Sequence, residues 1–262
     1  MNTKRIISLV ASLALVLSLS VGLTGCGDKA AQDDNQGSTD GEGTKYTVGI
    51  CQLVQHEALD AATQGFIDAL NEALPGQVEF QNKNASGDNA NCSTIVNGFV
   101  SDGVDLIIPI ATLAAQCMVT AADGTDIPIV YAAISDPEAA GLTGLDNVTG
   151  TSDALNTAFI LDMMLAANSD IKTVGLLYSN SEANSTTPIA EAKAYLQEKQ
   201  IDFVEKTGNT SGEIVEAAAS MVGRVDAVFT PTDNVVMAAE VTVAETLNEA
   251  GIPHYTGADS FV

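Results

Sequence analysis

The chain has 262 residues, of which 46% are apolar and 17% charged; this excludes a disordered chain and leaves room for two small α/β domains with packed cores. Lys and Arg number 10 against 34 Asp and Glu, for a formal net charge of −24. Nucleic-acid affinity is built from basic residues displacing counterions, so this balance, with no basic patch in view, excludes a nucleic-acid partner.

The first 25 residues carry Lys4 and Arg5, an apolar and small-residue run from Ile6, and then Leu23-Thr24-Gly25, followed by Cys26. A charged start, a hydrophobic middle and a small-residue cleavage site form a secretory signal. The tetrapeptide LTGC resembles the bacterial lipobox, which implies that Cys26 becomes the diacylated first residue of the mature protein. The run from Ile6 to Leu23 is also nearly long enough for an uncleaved anchor. Either reading places the protein on the extracytoplasmic face of the cell membrane. Residues 26–44, GDKAAQDDNQGSTDGEGT after the cysteine, hold no large apolar residue and are expected to be a flexible tether.

From Lys45 onward, short apolar runs alternate with longer amphipathic ones. KYTVGICQL predicts a buried strand, and residues 56–74 a helix, with Leu59, Phe66, Ile67, Leu70 and Leu74 near a 3.6 period. QVEFQNK is a strand, NANCSTIVNGFVSDG a helix ended by Gly103, VDLIIPIA a strand, TLAAQCMVTAADG a helix and IPIVYAAI a strand. This strict alternation implies parallel strands with right-handed helical crossovers. The order then restarts. NVTGTS is a short extended piece, ALNTAFILDMMLAAN a helix, IKTVGLLYSN a strand, and residues 186–200 a helix with Pro188 in its first turn. IDFVEKT, VDAVFTP and IPHYTGA are strands, separated by helices over 211–223 and 234–251.

The second half repeats the first. Thr47-Val48-Gly49-Ile50 returns as Thr173-Val174-Gly175-Leu176, Val104-Asp105 as Val225-Asp226, and Ile127-Pro128 as Ile252-Pro253. Two Rossmann-like lobes with parallel sheets follow, over residues 45–150 and 151–262.

Ligands of open parallel sheets sit outside the carboxyl ends of the strands. There the first lobe places Gln52, Gln55, His56, Thr112, Ser135 and Asp136, and the second Asn180, Ser181, Glu182, Asn184, Ser185, Thr232, Asp233, Asn234, Asp259 and Ser260. Each could equally cap a helix. Tyr131, Tyr178, Phe229 and Tyr255 lie in the runs leading to these loops; strand packing is their default role, and a subset facing a ligand would suit an apolar or aromatic solute. No nucleophile elbow, phosphate loop, dinucleotide fingerprint or zinc-protease motif occurs, and only His56 and His254 supply imidazole, so neither an enzyme nor a metal site is expected. Cys51, Cys92 and Cys117 form no C-x-x-C pair and are expected to be reduced, buried small hydrophobes.

The stretches GICQLVQHEALDAATQGFIDAL, NGFVSDGVDLIIPIATLAAQ, IPIVYAAISDPEAAGL, NVTGTSDA, TVGLLYSNSEANS and VDAVFTPTDNVV resemble the bacterial ABC-transporter substrate-binding lipoproteins that include tryptophan- and tyrosine-binding proteins. The resemblance implies a type I periplasmic-binding-protein clamshell. It further implies a small-molecule solute held between the lobes, ABC permease and ATPase subunits as partners, no cofactor and no catalysis. Contacts carried over fall on Gln52, His56, Thr112, Asp136, Ser181, Asn184, Ser185, Asp233, Asn234 and Asp259. For an amino acid, Thr112 and Ser185 would face the carboxylate, and Asp233 or Asp136 the ammonium. A sensor feeding a signalling partner is the alternative reading. Members of this fold continue beyond the GADS segment, so C-terminal elements are expected to be missing.

Overall fold

The computed structural model describes residues 45–258. The signal segment, the tether, Cys26 and Asp259 lie outside the described residues. The first half runs β1 (Tyr46–Gln52), α1 (Glu57–Ala73), β2 (Val78–Asn84), α2 (Asn89–Asp102), β3 (Leu106–Ile110), α3 (Thr112–Ala121), β4 (Ile129–Ile134) and β5 (Val148–Ser152). The second runs α4 (Thr157–Ala167), β6 (Thr173–Tyr178), a 3-10 turn (Ala183–Ser185), α5 (Thr186–Glu198), β7 (Asp202–Thr207), α6 (Ser211–Ala219), β8 (Ala227–Thr230), α7 (Asn234–Met237), α8 (Glu240–Glu249) and β9 (His254–Thr256).

Two parallel sheets result, in the orders β2-β1-β3-β4-β5 and β7-β6-β8-β9. The extended piece that sequence order grouped with the second half is β5, the edge strand of the first sheet, paired with β4 from Ile129–Val148 to Ile134–Ser152. A division at Gly150 would therefore cut through a strand. The helix expected over 234–251 is broken at Ala238-Ala239, where Ala239 takes φ −112° and ψ 6°. Val236, Ala239, Val243 and Leu247 still share one buried cluster across the break.

Each sheet is buried by its own helices. Ile50, Ile107, Ile108 and Ile110 meet Val96, Phe99 and Met118 in the first lobe, and Leu176 and Phe229 meet Leu161, Met164 and Leu196 in the second. Helix starts follow local chemistry: Asp88 Oδ1 accepts from the Asn91 N–H at 2.8 Å, and Thr210 Oγ1 from the Glu213 N–H at 3.3 Å.

The sequence repeat has a physical basis. Asp105 Oδ2 accepts from the Thr47 N–H at 2.8 Å, and Asp226 Oδ2 from the Lys172 and Thr173 N–H groups at 2.8 and 2.9 Å. The Val-Asp pair therefore ties the start of the third strand of each lobe to the start of its first. Gly49 and Gly175 occupy matched positions where a residue of the covering layer presses on the sheet, Phe99 from α2 and Met221 from the turn after α6. A Cβ at Gly49 would lie 2.7 Å from the Phe99 ring, and one at Gly175 2.7 Å from Met221 Sδ.

Candidate functional site

A cavity of about 530 Å³ lies between the carboxyl ends of the two sheets. His56, Ala58, Leu59 and Ala62 enter it from the start of α1, Ala132, Ala133 and Ser135 from the end of β4, and Thr151 and Asp153 from the end of β5. The second lobe supplies Asn184 from the 3-10 turn, Thr232, Asn234 and Met237 around the start of α7, and Gly257 and Ala258 after β9. This volume falls within the ~300–1,000 Å³ of small-molecule sites. Ala111 and Ala133, at the ends of β3 and β4, have φ of 82° and 57°, a conformation non-glycine residues adopt only where their surroundings impose it.

The lobes touch across this cleft. Ser135 Oγ and Thr232 Oγ1 lie 3.0 Å apart, the Thr187 hydroxyl donates to Asp136 Oδ2 at 2.9 Å, and His56 Nε2 is 3.3 Å from Asn234 Oδ1. Asn234 Nδ2 donates to Glu182 Oε2 at 2.7 Å, so its Oδ1 accepts and His56 carries its proton on Nε2. His56 Nδ1 is buried with no hydrogen-bond partner.

Of the contacts implied by the family resemblance, His56, Asn184 and Asn234 line the cavity, joined by Ser135 and Thr232 from the wider set of strand-end residues. The others serve beside it. Gln52 is 4% exposed and fully engaged: its Nε2 donates to Val54 O and Asp60 Oδ1, and its Oε1 accepts from Thr63 Oγ1. It braces α1 on β1. Thr112 is buried at the start of α3, and its Oγ1 has no partner. Ser181 Oγ lies 2.7 Å from Ser179 Oγ. Asp136 accepts from the Ala139 N–H and the Thr187 hydroxyl, which hold its carboxyl below the usual range, and it lines a neighbouring cavity of about 510 Å³.

Asp233, expected to meet an ammonium, is saturated by the protein. Oδ2 accepts from the Ser179 N–H at 2.7 Å and the Ser185 hydroxyl at 2.6 Å, and Oδ1 from the Val235 and Val236 N–H groups at 3.1 Å each. The side chain is 0% exposed and no oxygen faces the cavity. The same bond withdraws Ser185 Oγ, expected to meet a carboxylate. Nor do these aromatic residues line this cavity: Phe229 is core, Tyr178 and Tyr255 pack on its cluster, and Tyr131 packs with Ile134, Ala140 and Leu142 and lines the neighbouring cavity with Asp136 and Thr187.

Behind the cavity wall, Glu182 is 4% exposed beside Asp233. Burial first, and then the Asp233 charge, push its pKa up to about 7, against the pull of hydrogen bonds from Asn234 and Asn184. Burial also raises Asp233, offset by its four donors. Asp153, in the cavity itself, is raised by the enclosing walls and pulled back by the Ser135 hydroxyl. It closes the motif NVTGTSDA at a strand end, but only β5's place in the first sheet makes that end part of the cleft.

Among the described residues, no helix is long and apolar enough to cross a membrane, and no group of His, Cys, Asp and Glu has metal-binding geometry. Cys51, Cys92 and Cys117 are free thiols, the first two buried.

Residues 47–262 match the ABC transporter substrate binding protein family. The chain is 36% identical to the Tyrosine-binding protein of Clostridioides difficile over 96% of its own length and 74% of that protein's. It superposes with a TM-score of 0.79, at 30% identity, on a conserved domain protein from Vibrio cholerae, covering 83% of this chain and 76% of that one. An ABC domain from Streptococcus pneumonia in complex with L-Trp gives 0.78 at 32% identity, covering 84% and 76%. The ligand-free, open structure of a Clostridium difficile substrate binding protein gives only 0.57 at a higher 35% identity, over 83% and 76%. The better fit to the ligand-bound structure agrees with the hydrogen bonds that join the lobes here. With a type I periplasmic-binding-protein fold closed around a solute-sized cavity, the chain belongs to the ABC transporter substrate-binding protein family.

Proposed function

We propose that this chain captures an aromatic α-amino acid between its lobes and delivers it to the permease and ATPase of an ABC importer. It does so from the extracytoplasmic face of the membrane, anchored by lipid on Cys26. The observation that carries the reading is the cavity walled by both lobes, with a carboxylate, Asp153, and several small apolar residues in its lining. Asp153 takes the ammonium. The first-turn amides of α1, which the His56 side chain does not cap, take the carboxylate at the positive end of the helix dipole. Ala58, Ala62, Ala132, Ala133 and Ala258 leave room for a large side chain against Leu59 and Met237. The named ligands of the two relatives, tyrosine and L-Trp, are of this class.

Calorimetric titration with the twenty L-amino acids tests the proposal. Tyrosine or tryptophan is expected to bind most tightly, and Asp153→Ala to abolish binding. A folded protein that binds none of the twenty refutes it.

A further inference from the structure

Two polar atoms at the rim of the cleft, one from each lobe, are buried without a hydrogen-bond partner: His56 Nδ1 and Glu240 Oε2. Both residues line one cavity of about 260 Å³ that adjoins the main cavity at His56 and Met237. Gln55, His56 and Glu57 wall it from the first lobe, and residues 237–242 from the second. Glu240 is the first residue of α8, so the break at Ala238-Ala239 is what starts a helix with a carboxylate at this rim.

The other ring nitrogen of His56 is already committed. Asn234 Nδ2 donates to Glu182 Oε2 at 2.7 Å, so Asn234 Oδ1 is turned to His56 Nε2, 3.3 Å away, and that nitrogen holds a proton. In the neutral ring Nδ1 then carries only a lone pair, and a second proton has nowhere else to go. The charged groups around the ring are all acidic. Glu57 and Asp60 follow it on α1, Glu240 comes from α8, Asp153 shares the main cavity, and Glu182 and Asp233 lie behind Asn234. Among the described residues, no Lys or Arg lines either cavity. Burial raises the Glu240 carboxyl, a charged His56 lowers it, and Glu57 raises it again. With a neutral imidazole the rim cavity therefore holds two acceptors from opposite lobes; with imidazolium it holds a donor and an acceptor of opposite charge.

We propose that His56 and Glu240 form a pH-gated latch across the rim of the cleft: a proton on Nδ1 converts two acceptors on opposite lobes into a pair of opposite charge that favours the closed form. The latch does not depend on which solute the pocket holds. Its sign follows from linkage. A proton held more tightly in the closed form stabilises that form as pH falls, and the gain is lost as pH rises through the range where histidine titrates. On the acid side it ends where Glu240 takes a proton of its own. A charge pair at a partly solvated rim is worth about 2- to 5-fold in the closed population, and apparent affinity follows that population.

The test measures affinity for L-tyrosine and L-tryptophan by calorimetry between about pH 8 and pH 6. It compares wild type, Glu240→Ala, His56→Gln and the double variant, with closure of the solute-free proteins followed by small-angle X-ray scattering over the same range. The solutes, Asp153 and Glu182 titrate alike in wild type and Glu240→Ala, so the ratio of the two affinities isolates the latch. That ratio is expected to rise about 2- to 5-fold as pH falls, with wild type contracting on acidification more than Glu240→Ala. In the His56→Gln background, Glu240→Ala is expected to leave the pH profile unchanged. A ratio that stays constant with pH, or one whose pH dependence survives in His56→Gln, overturns the latch while leaving the amino-acid reading intact. If neither amino acid binds, that reading falls and the scattering contrast decides the latch: contraction that depends on Glu240 upholds it, and profiles that are flat or identical overturn it. Thermal unfolding confirms that the variants are folded; should Glu240→Ala not be, Glu240→Gln is judged by the same change of ratio with pH.

Discussion

Replacing Asp233 with alanine separates a residue that holds the binding machinery together from one that touches solute. Its carboxylate receives the Ser179 N–H, the Ser185 hydroxyl and the first amides of α7, joining the end of β6, the 3-10 turn and α7. Ser179 and Ser185 are each 1% exposed, so water does not replace the lost acceptor. Two buried donors left unsatisfied cost about 1–3 kcal/mol each, and the lost N-cap about 1 kcal/mol. Relief of the repulsion with Glu182 returns part of this. The net is about 4 kcal/mol, a fall in Tm of roughly 12 °C for a domain of this size. Circular-dichroism melting of wild type, Asp233→Ala and Asp233→Asn at pH 8 measures it. The asparagine variant keeps acceptors for α7 and is expected to fall between the other two. Loss of solute affinity with a Tm change under about 2 °C would refute the structural role and restore Asp233 as a contact.

Two further outcomes follow from the same geometry. Glu182 binds its proton more tightly folded, at about 7, than unfolded, near 4.5, so the stability it carries is full below pH 4.5 and is lost as pH rises through 7. The stability of wild type minus Glu182→Gln, from urea unfolding, should therefore fall by about 3 kcal/mol between pH 4.5 and 8. His254, lowered to about 4 by burial, acts in the opposite sense, losing stability as pH falls through 4, but it is common to both proteins and cancels in that difference. A flat difference contradicts the buried acid pair. Gly49→Ala drives a Cβ into the ring of buried Phe99 and should cost about 2 kcal/mol. Gly175→Ala meets a thioether that can swing aside, so it should cost less than half as much; the reverse order of melting temperatures would count against this packing.

Much of the frame could be read from sequence because each signal was local. Strand and helix periods, Gly103 closing α2 and the returned Thr-Val-Gly all report on neighbours a few residues apart. The site was less legible because the same residue types cap helices and bind ligands. Asp233 and Asn234 are adjacent, yet one turns wholly inward and the other reaches the cavity. Which of them does so depends on Ser179 and Ser185, some fifty residues earlier. Asp153 was passed over because β5 looked like the start of the second repeat, and pairing with β4 is a long-range fact that no periodicity carries. The break at Ala238-Ala239 has no propensity signal, since alanine favours helix.

The bonds that span the cleft are few and uncharged on at least one side: hydroxyl to hydroxyl, hydroxyl to carboxylate, imidazole to amide. Each is exchanged for water when the lobes part, at a net difference of about 1 kcal/mol. Each bond therefore shifts the population of the binding-competent state by up to about fivefold, and apparent affinity scales with that population. A substitution at Thr187 that removes its bond to Asp136 touches no solute, yet it should weaken capture about fivefold by shifting that population alone. Affinity in this chain can accordingly be tuned from outside the pocket, one bridge at a time, without altering which solute the pocket prefers.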